Sequence, residues 1–391
     1  MRVALVTPSS FRNVNAGAIR NATVANALAL SGAQVTVVSA DSAGDEVHPT
    51  WTQILDPAVA LEATGPLRTR GVNQVRRLLG AHVERGIRFV HAADAVIIYN
   101  PDPFGFGRAV RATAGTATPV IVDMSEWLGP GDLPGRRLSP YSWCYERFMR
   151  TLPPRTEAGI AISTAMAAHL GATGTPVLVL PPLHPPPNRT LRPRTSNKIS
   201  LLVTGSGFVK RGKDLATLND LALAFELQPA LSERIVVHVA GRFDPLGRLL
   251  VQRLRASVEV VLHDWLDWSE SIRLLEEVDW LVQFRDEGDR RARYGFPSKV
   301  TEALVHGTPV LANSFSDVGL LVRHGVDGIV LNDRTPHSIA EALRDASVLA
   351  LDRAKITSRA TKVWTARGAS DDLTEFVESA INRRKDQLRA T

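Results

Sequence analysis

The sequence predicts an α/β protein built from two doubly wound domains. Three observations predict it. The chain has 391 residues, more than one hydrophobic core ordinarily serves. Short apolar runs of strand type alternate with stretches of helical period along most of that length, the pattern of parallel sheets covered on both faces. Residues 181–198, PPLHPPPNRTLRPRTSNK, hold six prolines and no hydrophobic periodicity, so an extended, semi-rigid connector is expected there. The expected division is 1–185, a connector at 186–198, a second domain at 199–365 and a C-terminal helix at 366–391 that packs back on the first domain.

In the first half, RVALVTPSS reads as a buried strand ending in a loop. AGAIRNATVANALALSGAQ follows with apolar residues near the helical period, at Ile19, Val24, Ala27, Leu28 and Leu30, and Gly32 as its stop. VTVVSA is the next strand, which starts a parallel sheet. No G-x-G-x-x-G lies between strand and helix, so the dinucleotide fingerprint is missing. ADAVIIYN and TPVIVDMSEW are further strands, with Asp123 and Glu126 read as lying just past the end of the latter.

The second half begins again with KISLLVTGSGF, a strand feeding a glycine-rich loop. RIVVHVAG, VEVVLHDWL, WLVQF, TPVLAN and GVDGIVL supply strands, and SESIRLLEEVD and PHSIAEALRDA supply helices. DDLTEFVESAINRRKDQL is an amphipathic helix with Leu373, Phe376, Val377 and Ile381 on one side. In sheets of this kind ligands bind beyond the carboxyl ends of the strands. Two such domains facing each other would put the site in the cleft between them.

Composition is ordinary for a globular protein, at 44% hydrophobic and 22% charged. The single cysteine, Cys144, excludes an internal disulfide and argues against a cysteine metal site. The apolar run of MRVALVT is short for a signal peptide, and no apolar run reaches the ~18 residues of a membrane span. A cytoplasmic protein is expected. The formal charge of +6 fits phosphate-bearing ligands, an anionic membrane or nucleic acid. Zinc-finger spacing and aromatic RNA-binding signatures are missing, which argues against nucleic acid. Residues 68–88 carry six arginines; they read either as a solvated helix face or as a peripheral membrane contact.

Two stretches could carry chemistry. GSGFVKRGKD (205–214) leaves a strand and enters a helix. Gly205, Gly207 and Gly212 let backbone N–H groups converge, with Lys210, Arg211 and Lys213 beside them. The guest is then an anion such as phosphate, or else the loop is a plain turn with solvated lysines. It lacks the Ser/Thr of a Walker motif. In YGFPSKVTEALVHGTPVLAN (294–313), Pro297 suits the first helical position. The open N–H groups of the first turn, from Phe296 through Ser298 to Val300, can hold an anion, with Lys299 adding a charge. Glu302 is one turn deeper and can accept from a ribose diol. Otherwise Lys299 and Glu302 form an exposed ion pair.

Taken in order, these segments resemble a family 4 glycosyltransferase of the GT-B fold, the retaining, nucleotide-sugar-dependent kind with two Rossmann-like domains. The resemblance is strongest over residues 201–335. FPSKVTEALVHGTPVLAN resembles the family's Glu-bearing segment and LLVTGSGFVKRG its donor loop, while GAIRNATVANALALSGAQVTVVSA resembles the opening of its acceptor domain. The resemblance implies that Glu302 is the second glutamate of the E-x7-E motif and binds the nucleotide ribose. The first would fall at Tyr294, a departure. Gly295, Phe296 and Pro297 match the backbone beside sugar and diphosphate. Arg211 takes the place of the phosphate-binding lysine, and Ser206 that of an arginine. His263, Asp264 and Trp265 fall at the loop near the nucleobase.

For the acceptor, Asn15, Gly17 and Arg20 at the first loop and helix start are the candidates, with Asn100, Asp123 and Glu126. Asp123 could hold an acceptor hydroxyl, or cap a helix. The implied activity is sugar transfer from a nucleoside diphosphate-sugar to a hydroxyl, with retention, Asp123, Arg211 and Lys299 as the catalytic candidates, and no metal or other cofactor. Tyr294 and Ser206 favour the alternative, a binder, hydrolase or epimerase on the same fold.

Overall fold

The computed structural model describes the chain except residues 43–45, 66–82, 84–85, 130–132, 134–139, 189–197, 206–207, 209–213 and 391. Most of the arginine-rich stretch 68–88 lies outside the described residues. So do Ser206, Lys210, Arg211 and Lys213 of the glycine-rich loop. The chain forms two compact units. Met1–Pro185, Tyr294–Phe296 and Val363–Thr391 make the first; Pro186–Arg293 and Pro297–Lys362 make the second.

In the first unit the chain runs β1 (Arg2–Thr7), α1 (Ala16–Leu30), β2 (Gln34–Ser42), β3 (Val59–Gly65), α2 (Ile87–Ala92), β4 (Ala95–Tyr99), α3 (Pro103–Ala112), β5 (Val120–Met124), α4 (Pro140–Thr151), β6 (Ala158–Ala161), α5 (Thr164–Leu170) and β7 (Val177–Val179). The strands form one parallel sheet in the order β3-β2-β1-β4-β5-β6-β7. The strand order reverses between β1 and β4. AVIIY and VIVDM are buried at every position, as strands of a sheet covered on both faces must be. Asp123 therefore lies inside β5 and not beyond its end.

The second unit runs β8 (Ile199–Thr204), α6 (Leu215–Leu227), β9 (Ile235–Ala240), α7 (Pro245–Arg255), β10 (Glu259–His263), α8 (Trp268–Glu277), β11 (Trp280–Gln283), α9 (Ser298–Val305), β12 (Val310–Asn313), β13 (Gly328–Leu331), α10 (Pro336–Val348) and α11 (Arg353–Thr361). Its sheet is parallel in the order β10-β9-β8-β11-β12-β13, with the reversal between β8 and β11. Its core joins Phe208, Phe225 and Phe284 to the strand valines and to α6 and α10. Phe208 belongs to the glycine-rich loop and is fully buried. It stacks on Phe243 at 5.0 Å, and its N–H donates to the Arg242 carbonyl at 2.7 Å. The loop is thus pinned at its middle.

The last helix, α12 (Ala366–Ala390), packs on α1 within the first unit. Leu373, Val377 and Ile381 are buried as the period predicts, while Phe376 is half-buried. Ser370 Oγ reaches the Ala27 carbonyl at 2.7 Å. Close cover of α1 explains why that helix is buried nearly all round, Asn21 and Thr23 included.

Candidate functional site

The second unit gathers its chemistry around α9, which follows β11 at the reversal of strand order. Pro297 is the N-cap of α9 and not its first residue; its ψ of 105° is extended, and helical dihedrals begin at Ser298. Gly307 ends the helix at φ +74°, a conformation that favours glycine. Lys299 Nζ donates to the carbonyl of Thr204, the last residue of β8. The lysine therefore sits at the carboxyl edge of the sheet, where the glycine-rich loop leaves it.

Glu302 accepts a hydrogen bond from Trp268 Nε1 at 3.2 Å. Trp268 is the first residue of α8, and that helix start is fixed locally by a capping box. Asp267 accepts from the Glu270 N–H at 2.8 Å, and Glu270 accepts from the Asp267 N–H at 2.9 Å. Burial pushes the pKa of Glu302 up, against the opposing pull of His306, the Trp268 hydrogen bond and Lys299. Lys299 and Glu302 thus face separate partners on the second unit, in place of the exposed ion pair that spacing alone allowed.

The ends of the glycine-rich loop are held as well. Asp214, where α6 begins, pairs with Arg285 Nη2 at 2.6 Å, both nearly buried. Asp214 lies so close over Gly205 that any Cβ there would collide with its carboxylate, which is why this position is glycine. Arg285 is itself fixed by a reciprocal bond with Asn313, at 2.9 and 3.0 Å. On the outer strands, His263 Nε2 lies 3.0 Å from His238 Nδ1. The guanidinium of Arg242 covers the ring of Trp265 at 4.3 Å, and Trp265 is 50% exposed. The sequence reading missed Trp268, Asp214, Arg285, His238 and Arg242; each works through a partner at least 23 positions away.

Two of the acceptor candidates of the first unit, Arg20 and Asp123, are paired with each other. Arg20 and Asp123 are 3% and 1% exposed. Arg20 Nη2 and Nε meet the carboxylate at 2.7 and 3.0 Å, and Nη1 donates to the Leu180 carbonyl at 3.0 Å. The Asp123 carboxylate lies inside β5 and is engaged by the buried Arg20 guanidinium. Asn15 is the N-cap of α1, accepting from the Ala18 N–H at 3.0 Å. Asn100 has φ +40° and forms a two-way bond with Ser125, at 2.6 and 2.8 Å. Tyr99 Oη lies 2.9 Å from the same Ser125 hydroxyl, and burial pushes the pKa of Tyr99 up to about 12. A side chain at Gly17 would meet Ser9 Oγ. Glu126 is half-buried.

Tyr294, Gly295 and Phe296, expected with the donor, group with the first unit. The Tyr294 ring lies 4.8 Å from Trp127 and 6.1 Å from His169. Its carbonyl accepts from Ser163 Oγ at 2.8 Å. Where the resemblance places a carboxylate, this chain has an aromatic packing residue.

Residues 198–347 match the family model for glycosyl transferases group 1. No curated protein sequence matches the chain. Among solved structures, the lipopolysaccharide outer core galactosyltransferase WaaB in its apo form has a TM-score of 0.63 at 12% identity, over 98% of this chain and 100% of that one. Anabaena HepE in complex with UDP has a TM-score of 0.62 at 15% identity, over 97% and 100%. Sucrose-phosphate synthase from Thermosynechococcus elongatus has 0.60 at 15%, over 100% and 98%. At such identities the likeness is one of fold. The chain therefore has the GT-B fold of these structures, and its residues 198–347 are similar to the glycosyl transferases group 1.

Proposed function

We propose that the chain transfers a sugar from a nucleoside diphosphate-sugar to a hydroxyl acceptor, with retention of anomeric configuration and without a metal. The observation that carries this reading is the pair of attachments made by α9. One helix directs Lys299 to the end of β8 and Glu302 to the indole of Trp268, so a cation and a half-buried carboxyl group lie one turn apart behind the first-turn N–H groups. The N-cap residue, Pro297, makes no side-chain hydrogen bond to that turn. A helix start with a lysine suits a diphosphate. A half-buried carboxylate one turn deeper suits the two hydroxyls of a ribose. HepE, similar in fold, is a protein solved with UDP and with UDP-glucose.

In the transfer itself the bond between the anomeric carbon and the diphosphate oxygen breaks. The acceptor oxygen bonds to that carbon on the same face, and its proton passes to the departing diphosphate. Lys299 and the helix start stabilise the charge that develops on the leaving oxygen. Arg211 belongs to the same proposal by its place in the loop. Peripheral contact with an anionic membrane through the arginines of 68–88 would serve a lipid-linked acceptor; it requires liposome pelleting that falls when those arginines are neutralised.

Incubation with UDP-glucose and other nucleoside diphosphate-sugars, with proton NMR of the product, tests the reading. Release of diphosphate with an axial-to-axial or equatorial-to-equatorial product supports it, and an inverted product refutes retention. One observation favours a second reading, a nucleotide-sugar binder, hydrolase or epimerase. Tyr294 stands where the family carries a carboxylate and is packed against Trp127 and His169. Free or epimerised sugar without any acceptor product would select that reading.

A further inference from the structure

Two neighbouring helices of the first unit carry the same outward stripe. On α3, Phe104, Arg108 and Arg111 follow one another at spacings of four and three; on α4, Trp143, Arg147 and Arg150 do the same. At those spacings the three side chains of each helix share one face. The aromatic rings are open to solvent, Trp143 at 72% and Phe104 at 42%. Arg111, Arg147 and Arg150 are exposed, and Arg108 is half-buried. Away from these stripes, Phe106 and Phe148 pack on each other in the core with ring centroids 5.7 Å apart. Both stripes therefore face outward on one side of the unit.

Their direction is also shared. α3 follows β4, and α4 lies between β5 and β6, three neighbouring parallel strands. Both helices run back from the carboxyl edge of the sheet, so Phe104 and Trp143, near the helix starts, stand at that edge. The arginines follow about 6 and 10 Å further along each axis. Charge on the two helices is one-sided. α3 has no acidic residue and α4 has Glu146 alone, which accepts from Arg150 Nε at 3.0 Å. Asp102, the N-cap of α3, turns its carboxylate to the N–H groups of Phe104 and Gly105, both at 2.9 Å.

We infer that the α3–α4 face is a peripheral docking surface for an anionic bilayer, with Phe104 and Trp143 in the headgroup layer and Arg111, Arg147 and Arg150 on lipid phosphates. Aromatic rings settle at the boundary between headgroups and chains, and arginines near an anionic surface add to its attraction. A peptide partner would call for an apolar groove or an open strand edge; these stripes instead set single rings ahead of rows of guanidinium groups. Docked in this way, the carboxyl edge of the first sheet, where ligands of such sheets bind, is held beside the headgroups. The surface is separate from the arginines of 68–88, and it stands independently of the reading of Glu302.

Co-sedimentation with phosphatidylcholine vesicles, with and without about one-third phosphatidylglycerol, at low and at high salt tests this. The wild-type protein should pellet with the anionic vesicles, far less with phosphatidylcholine alone, and less at high salt. Arg111→Gln with Arg147→Gln removes one guanidinium from each stripe. Each is worth roughly fivefold in partitioning, so the pair should weaken binding about 25-fold. Phe104→Ser with Trp143→Ser should also weaken it. These positions are exposed, so Tm should be unchanged. Quenching by brominated lipid reads the same contact without disturbing the charges: tryptophan emission should be quenched in wild type and clearly less so in Trp143→Phe. Absence of pelleting with anionic vesicles, or pelleting unmoved by both double variants, overturns the inference. Pelleting lost only when the arginines of 68–88 are neutralised places the contact on that stretch and overturns it too. Binding of an oligonucleotide through Arg111 and Arg147 without vesicle pelleting assigns the face to nucleic acid, with the same consequence.

Discussion

Trp268 and Glu302, 34 positions apart, are joined by an indole N–H that donates to a carboxylate oxygen at 3.2 Å. The capping box of α8 orients the donor, and the fourth turn-forming position after Ser298 on α9 presents the acceptor. Trp268→Phe keeps the ring and removes the bond. A hydrogen bond to a charged group is worth about 1.5–3 kcal/mol, so nucleoside diphosphate affinity should fall roughly tenfold or more. Calorimetry at neutral pH checks this, and an unchanged Kd would show that the indole does not orient Glu302.

Arg20 and Asp123 anchor the first unit where its strand order reverses. Removing one partner of a buried pair leaves an uncompensated charge and costs about 3–5 kcal/mol. Asp123→Ala should therefore lower the denaturant midpoint sharply. The double variant Arg20→Met, Asp123→Leu should recover much of the loss. A single variant within 1 kcal/mol of wild type, as an estimate on the same scale, would argue against the buried pair.

Much of the fold was legible in the sequence. The strands are short apolar runs bounded by Gly, Asp or Asn, and burial on both sheet faces leaves little freedom to place them otherwise. The segment 294–313 was legible for the same reason, since a helix start, Lys299, Glu302 and Gly307 sit in one window. Asp123 was misread because its neighbours in sequence resemble a strand end followed by a loop. What fixes it is Arg20, 103 positions away, brought across by the order of β1, β4 and β5. Tyr294 was unreadable for a related reason, because its partners Trp127 and His169 belong to a distant part of the chain.

Tyr294 offers a test of packing against chemistry. Tyr294→Phe keeps the ring contacts and should stay within about 1 kcal/mol of wild type. Tyr294→Glu restores the family's carboxylate but sets a charge beside Trp127 and His169, and should cost about 1–3 kcal/mol. Chemical denaturation of the two variants checks this. Equal stability would mean that the aromatic contacts contribute nothing.

His238 and His263 give the second unit a dependence on pH. Burial holds both below the ordinary value of 6.5, and the charge of His263 lowers His238 further while Glu259 opposes it. The unfolded chain therefore binds protons first as pH falls, so this contribution is complete above 6.5 and is lost beneath it. The fall in Tm between neutral pH and about pH 5 should be smaller in His238→Gln than in wild type. An identical fall would place the acid sensitivity elsewhere.

The central claim is that α9 holds a nucleoside diphosphate through Lys299 and Glu302. A thermal-shift titration with UDP, GDP, ADP and their sugars tests it most directly. A ligand at a hundredfold excess over its Kd stabilises the folded protein by about 2.7 kcal/mol. The expected result is a rise in Tm with at least one of them, abolished by Glu302→Ala in a folded variant. No rise with any member of the series, or an equal rise in Glu302→Ala, would contradict it.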